Sequence, residues 1–447
     1  MKYDAHCCIV GGGPAGMVLA LLLGRAGIRT TILEEHEDFE RDFRGDTVHP
    51  STMELMDALG LADRVLELPH AKIHRLVFDA PSGPVVMADL SRVRTKFPYV
   101  TMMPQARFLD FLAGELAKLP SVRLIMGAAV HGLIWNDPWG LSGIADRPPP
   151  TSARTPEEVP HPPAPSPAHG GGGWGVRASG VDRSLPEDAV VRGVHYRTRS
   201  GQHDLRAPLT IGADGRFSRL RRLAGFELES SAPPMDVIWF RLPRHPGDPE
   251  EAHGKIGKGH LMVILNRGDA WQIAYVIAKG AYKEIHDAGL PAFRRAITEM
   301  APELADRVDT IEEWHQTSLL SVEAGRVRRW YRPGLLLIGD AAHVMSPVGG
   351  VGINYAIQDA VVASNVLREP LQQGRLKLRD LAAVQRQREL PTRIIQRFQR
   401  VVQERIVTRA LYSDAPVQPP AIMRAPVLRD LIPRVLALGV WPVHPKP

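Results

Sequence analysis

The sequence predicts an α/β fold in which a Rossmann-like dinucleotide-binding domain carries a second domain built on a mixed or antiparallel sheet, followed by C-terminal helices. Three observations predict it. Residues 4–34 read as strand, glycine turn, helix and second strand ending on an acid. Residues 235–278 alternate runs rich in Val, Ile, Trp and Tyr with tight turns, as antiparallel strands do. Residues 379–412 carry apolar side chains at helical spacing with many arginines between them.

The first unit opens with the apolar run Cys7-Cys8-Ile9-Val10, which leads into Gly11-Gly12-Gly13-Pro14-Ala15-Gly16 and satisfies G-x-G-x-x-G at Gly11, Gly13 and Gly16. Gly11 allows the tight turn, Gly13 lets backbone approach a pyrophosphate, and Gly16 lets the helix pack on the sheet while its N-terminus offers free N–H groups. The helix runs through Met17, Leu19, Ala20, Leu22 and Leu23 and stops at Gly27. Thr30 to Leu33 then deliver Glu34 about 20 residues past the glycines, where a ribose contact is required. An acid there favours an unphosphorylated adenosine ribose, hence NAD or FAD rather than NADP. A second match at Gly170, Gly172 and Gly175 follows prolines rather than a strand and reads as low complexity.

Further along, Ser51-Thr52-Met53-Glu54 reads as a capping box opening a helix with Met53, Leu55, Met56 and Leu59 on its apolar face. Short strands fill 72–103, and Gln105 opens a helix carrying Phe108, Leu109, Leu112, Leu116 and Leu119. Strands follow at 122–126 and 129–135. Periodicity then vanishes over 137–189, a Pro- and Gly-rich stretch unable to sustain a core, so it reads as a surface insertion breaking a hairpin that resumes at Val190. A helix is expected over 290–306 and a strand over 317–322. Gly334 to Ile338 form a buried strand ending on Gly339-Asp340, and Gly349 to Asn354 open a helix carrying Ala356, Ile357, Ala360 and Val361. The last helical stretch sets Leu390, Ile394, Phe398, Val402 and Ile406 on one side, with a solvated basic face opposite.

Composition narrows the function classes. A 447-residue chain with 44% hydrophobic and 23% charged residues is globular rather than disordered. The net charge of +6 does not point to nucleic acid, because the arginines are dispersed and no aromatic–basic motif accompanies them. No window approaches about 18 apolar residues, so no membrane span is expected. Cys7 and Cys8, the sole cysteines, are adjacent in a predicted buried strand, which suits neither a disulfide nor a metal site and fits a reducing cytoplasm. A homodimer is kept open as the assembled state.

Three separated motifs together resemble one family, the single-component FAD-dependent aromatic hydroxylases, flavoprotein monooxygenases with the p-hydroxybenzoate hydroxylase fold. They are Gly11 to Gly16 with Glu34; Ile211-Gly212-Ala213-Asp214-Gly215-Arg216-Phe217-Ser218-Arg219-Leu220-Arg221, which looks like that family's Asp-Gly motif; and Gly339-Asp340-Ala341-Ala342-His343 with Pro347 through Asn354. The resemblance covers the chain outside 137–189 and roughly its last thirty residues. It implies a discontinuous FAD-binding domain (1–75, 100–136, 190–225, 325–370), a substrate domain (76–99, 226–324) and a C-terminal helical region (371–447).

The resemblance also implies roles. FAD would be held by Gly11, Gly13, Pro14, Ala15, Gly16 and Glu34, by Arg44 at the pyrophosphate, Gln105 on the flavin or ribitol side, Val130 through backbone at the adenine, and Asp214 as support. Asp340 would accept a hydrogen bond from the ribitol. Gly350 and Gly352 let backbone press against the isoalloxazine edge, and the helix begun by Gly352, Ile353 and Asn354 aims its positive end at the flavin N1/O2 locus. Pro347 would line the reaction space, and His343, with an unperturbed pKa near 6.5, is the candidate acid/base. The implied reaction uses NADH or NADPH as transient reductant and O2 to hydroxylate an aromatic or polycyclic phenol through a flavin C4a-hydroperoxide. Trp239, Tyr275 and His260 are candidate substrate contacts. A flavin-dependent reductase or oxidase and a non-catalytic FAD-binding protein remain as alternatives; the Trp-x-Trp-x-Ile-Pro element of a flavin halogenase is not found.

Overall fold

The computed structural model describes residues 2–40, 46–80, 83–136, 189–257, 259–412 and 426–446. Cys7–Val10 is the centre of a six-stranded sheet. It pairs in parallel with Thr30–Leu33 on one side and Leu209–Gly212 on the other. Val122–Ile125 and Leu335–Leu337 extend the parallel part, and Tyr331–Arg332 closes one edge antiparallel. All four residues of each of the three central strands are buried, as expected where both faces of a parallel sheet are covered. Helix α1, Pro14–Arg25, packs on this sheet with Gly13 as N-cap and Pro14 at its first position, where a missing N–H costs nothing.

Helix α2 spans Pro50–Ala58 and corrects the expected capping box. Pro50 takes the first helical position, so His49 becomes the N-cap, and Ser51 lies inside the helix, where its hydroxyl donates to Asn354 Oδ1. Helix α3, Gln105–Leu116, begins where the sequence places it. Ala129–Asn136 and Val190–Thr198 pair antiparallel with Asn136 opposite Val190, so 137–189 does interrupt a hairpin. Residues 137–188 themselves, including the expected low-complexity glycines, lie outside the described residues.

The second sheet has seven strands in the order Ser318–Leu320, Met235–Pro243, Ala270–Ala278, His260–Asn266, Ala252–Gly257, Arg75–Ala80 and Gly83–Asp89. It is mixed: only Ala252–Gly257 runs parallel to its neighbour, Arg75–Ala80. Side chains alternate between its faces. Ile238, Phe240, Met262, Ile264, Ile273 and Tyr275 form a closed core with Phe293 and Ile297 of α4, Leu290–Met300. Met235, Val237, Leu261, Ala274 and Val276 face the other way, toward Ile406 and Val407.

Three longer helices follow among the described residues: α5, Gly352–Gln372; α6, Leu378–Val402, continued by one π turn, Gln403–Val407, and the short helix Thr408–Tyr412; and α7, Pro426–Leu438. The expected apolar side of the last helical stretch holds in its later part, where Phe398, Val402 and Ile406 pack inward, and fails in its earlier part. Leu390 and Ile394 are exposed, and the buried face is Leu381, Val384, Gln385, Arg388, Pro391, Thr392 and Ile395. Two of its buried polar members meet partners on neighbouring elements: Arg388 Nε donates to Asp359, and Gln385 accepts from the Trp330 amide. No described helix is long and apolar enough to cross a membrane.

Candidate active site

One continuous cavity of about 690 Å3 runs between the two sheets. The turn after the first strand forms part of its wall. Gly11 adopts φ +104°, and a Cβ there would stand 2.3 Å from Ala213 O, so only glycine lets this turn approach the strand beside it. Gly11, Gly13, Pro14 and Ala15 line the cavity, and a Cβ on Gly13 would enter open space. Gly16 is not on the wall. Its hydrogen faces Gly11 O, which an added Cβ would meet at 2.0 Å, so it serves the close contact of helix and turn.

Glu34 lines the same cavity. Its Oε2 accepts from the Gly12 amide at 2.7 Å, and its Oε1 lies 2.7 Å from His36 Nδ1. Burial acts to raise its pKa, but the hydrogen bonds from His36 and Gly12 outweigh this and hold the carboxyl below the usual range. Val130 also lines the cavity, with its carbonyl accepting from Arg219 Nη1 at 2.6 Å. Arg44 lies outside the described residues.

Asp214, Asp340 and Gln105 line it as well. Asp214 accepts from Ser218 Oγ at 2.6 Å and the Leu220 amide at 3.0 Å, and burial pushes its pKa up despite these bonds. Arg221, buried beneath, donates to Ala341 O at 3.1 Å and to Arg216 O at 2.6 Å, stitching the second motif to the third. The Gln105 amide donates to Asp46 Oδ1 at 3.3 Å.

Pro347, Gly350, Gly352 and Ile353 are also on the wall. Two glutamines of the C-terminal helices clamp the loop around Pro347. Gln399 Nε2 donates to Ser346 O at 2.8 Å and Val348 O at 2.9 Å, and Gln403 Nε2 donates to Ser346 Oγ at 2.7 Å. Thr47 Oγ1 and His49 Nε2 each lie 3.0 Å from Gly350 O. Sequence reasoning missed these four residues because none falls inside a motif.

Two expected positions are corrected. Asn354 is not on the cavity wall; its side chain is 1% exposed and engaged by Ser51. His343 is buried beside Trp330, with Nε2 2.6 Å from Asp359 Oδ2, and it too is absent from the wall, its imidazole engaged by a buried carboxylate. Of the three candidate substrate contacts, only Trp239 lines the cavity. Tyr275 lies in the core on the opposite face of the sheet, with the His260 ring centroid 5.1 Å from its own.

The residues present fit FAD. α1 and α5 both begin at the cavity, neither has a side-chain cap nor an acid in its first turn, and each leaves amide donors and a positive dipole end directed to that space. Two such termini, with Glu34 beyond one and Asp340 between them, match a ligand carrying a pyrophosphate, a ribitol and an anion-forming ring. The chain matches the family model of an FAD binding domain over residues 4–138 and 180–397. The chain belongs to the FAD-dependent aromatic monooxygenase family.

This family member is similar to 6-methylpretetramide 4-monooxygenase of Streptomyces rimosus, 30% identical over 96% of this chain and 91% of that protein. It is also similar to the 12-dehydrotetracycline 5-monooxygenase/anhydrotetracycline 6-monooxygenase of S. rimosus, 26% identical over 81% of this chain and 61% of the other. Among solved structures, P. aeruginosa PqsL in complex with 2-aminobenzoylacetate superposes with a TM-score of 0.68 at 19% identity, covering 91% of this chain and 97% of that one, and shows the shared fold. The monooxygenase is thus an FAD enzyme that hydroxylates an aromatic compound with NAD(P)H as reductant. FAD, when bound, supplies hydride acceptance from the nicotinamide and activation of O2 for transfer to the ring. The chain would supply placement: free amide donors where α1 and α5 begin, Asp340 on the cavity wall as the group that would meet the ribitol, and an apolar enclosure that would exclude water.

Proposed function

We propose that the substrate is a fused polycyclic phenol, and that the sheet formed by 76–99 and 226–324 is the substrate domain. The observation that carries this reading is the character of the cavity beyond Pro347 and Gly350. Met235, Val237, Trp239, Leu261, Val263 and Val276 turn one continuous apolar face toward it, an area suited to a broad flat ring system. The compounds for which two relatives are named, 6-methylpretetramide and anhydrotetracycline, support the same class. An electron-rich phenol pressed against Pro347 is held by burial, with its orientation set by the few polar groups near the glycine turn. The buried, unpaired Cys7 and Cys8 support a reducing cytoplasmic setting. The exposed row Leu390, Ile394 and Val401 on α6 supports a homodimer, which light scattering tests.

The test is reductant oxidation by the purified holoenzyme under O2 with phenols of one to four rings, with products trapped and NADH compared with NADPH. Hydroxylated product in proportion to reductant, best with the larger ring systems, is the expected result. Preference for a single ring overturns the polycyclic assignment. Reduction of substrate without O2 supports the reductase reading instead.

A further inference from the structure

The C-terminal segment carries no motif, yet it makes part of the cavity wall. Ile432 and Leu436 of α7 both line the cavity, one turn apart on one helix face. Leu436 sits over the glycine turn: a Cβ on Gly349 would stand 2.8 Å from its Cδ2. Leu436 also packs with Val351, Tyr355 and Phe398, whereas Ala437 and Leu438 on the other side of α7 pack with Ile73, Leu90 and Met102. The helix is therefore wedged between the start of α5 and the strands leading into the second sheet.

The wedge is held in register with the turn. The last carbonyls of a helix have no partner within it, and here His49 Nδ1 lies 2.8 Å from Leu436 O while Gln358 Nε2 donates to Leu438 O at 3.2 Å. The other nitrogen of the same His49 ring meets Gly350 O, so one side chain spans from wall to turn. Gly439 leaves the helix at φ +85°, and the Val440 amide reaches the Tyr355 hydroxyl at 3.3 Å. Arg92 Nε pairs with Asp430 Oδ1 at 2.7 Å at the other end of the described side chains. These fastenings run to α5, to the N-cap of α2 and to the edge of the second sheet, so the position of Ile432 and Leu436 is fixed by the same elements that shape the reaction space.

We propose that Ile432 and Leu436 are specificity-determining residues of this monooxygenase, an aliphatic gauge that sets the breadth of the ring system admitted beside Gly349 and Gly350. The proposal rests on the substrate reading above. A change of one or two carbons in an apolar pocket is worth about tenfold or more in discrimination.

The holoenzymes of wild type, I432A, L436A and I432F are assayed with p-nitrophenol and anhydrotetracycline, recording reductant consumed, product formed and peroxide released. FAD content confirms folding, and titration of the flavin spectrum with each probe gives its Kd. The alanine variants should lose coupling and shift the kcat/KM ratio between the probes by about tenfold, and I432F should shift it toward p-nitrophenol. Where turnover is too slow to measure, the same shifts should appear in the Kd ratio. A wild type that binds or hydroxylates either probe, with all three variants unshifted, overturns the gauge alone. A wild type that neither binds nor hydroxylates an aromatic probe overturns the substrate reading on which the gauge rests.

Discussion

Asp359 Oδ2 lies 2.6 Å from His343 Nε2, with neither side chain more than 1% exposed. The same oxygen accepts from the Gly339 amide at 2.9 Å, and the other oxygen takes Arg388 Nε at 2.7 Å. One buried carboxylate from α5 thus anchors the strand end that presents Asp340 and ties α6 against it. Burial would favour the neutral acid, but His343 and then Arg388 outweigh it and hold the carboxyl below its ordinary value of 3.8.

That depression fixes a sign. A lowered folded pKa gives stability that is present above about pH 4 and is lost as pH falls through the folded value. D359N removes the group, so its unfolding midpoint should fall less steeply than wild type as the pH is taken below 4. At pH 7 the variant should be destabilised by about 3–5 kcal/mol, the cost of leaving a buried cation without its partner, as read by denaturant titration. Equal acid slopes would show that the pair carries no pH-linked stability.

His343 should behave as a brace rather than an acid/base. H343N is expected to lower the unfolding free energy by about 1–3 kcal/mol, the range for a buried group losing its hydrogen bond. The pH profile of kcat should keep its shape. Disappearance of one limb in the variant would return His343 to the chemistry.

The glycine turn after the first strand predicts two grades of FAD loss. G11A places a Cβ 2.3 Å from Ala213 O at φ +104°, and should yield protein without flavin. E34Q keeps the shape but removes the charge that orients Gly12; hydrogen bonds to charged groups contribute about 1.5–3 kcal/mol, so FAD Kd should rise roughly tenfold to a hundredfold. Fluorescence titration of the apoprotein distinguishes the two, and an unchanged Kd in E34Q would remove Glu34 from the site.

Removal of 140–186, with the ends rejoined, should leave FAD content per chain at the wild-type level. Asn136 and Val190 are already paired, so a short turn closes the gap. Colourless protein would mean that the segment is part of the cofactor enclosure.

The parts of this molecule legible in the sequence are those where backbone does the binding. Gly11 and Gly350 are visible because a left-handed backbone set against a close neighbour favours glycine, and the central strands because burial on both faces leaves an unbroken apolar run. Side chains that act across the fold left no local trace. Ser51 resembles a helix cap until Pro50 starts the helix two residues earlier, which frees its hydroxyl for Asn354. Tyr275 and His260 sit in strands whose alternation was readable, but which face meets the cavity depends on where α4 packs. The buried side of α6 contains Gln385, Arg388 and Thr392, and polarity hid it from a search for apolar periodicity. Ile432 and Leu436 lie in a short helix interrupted by Pro433, whose purpose is defined by residues about 80 positions or more away.

The bonds from Thr47 and His49 to Gly350 join positions separated by 303 and 301 residues, and His49 also reaches Leu436, 387 residues on. Synthesis proceeds amino end first, so the nascent chain exposes its phosphate-binding turn long before the opposing loop exists. A cavity fastened in this way is completed only once Leu436 has been synthesised, and chains truncated before α7 are expected to keep the glycine turn while lacking the wall over Gly349.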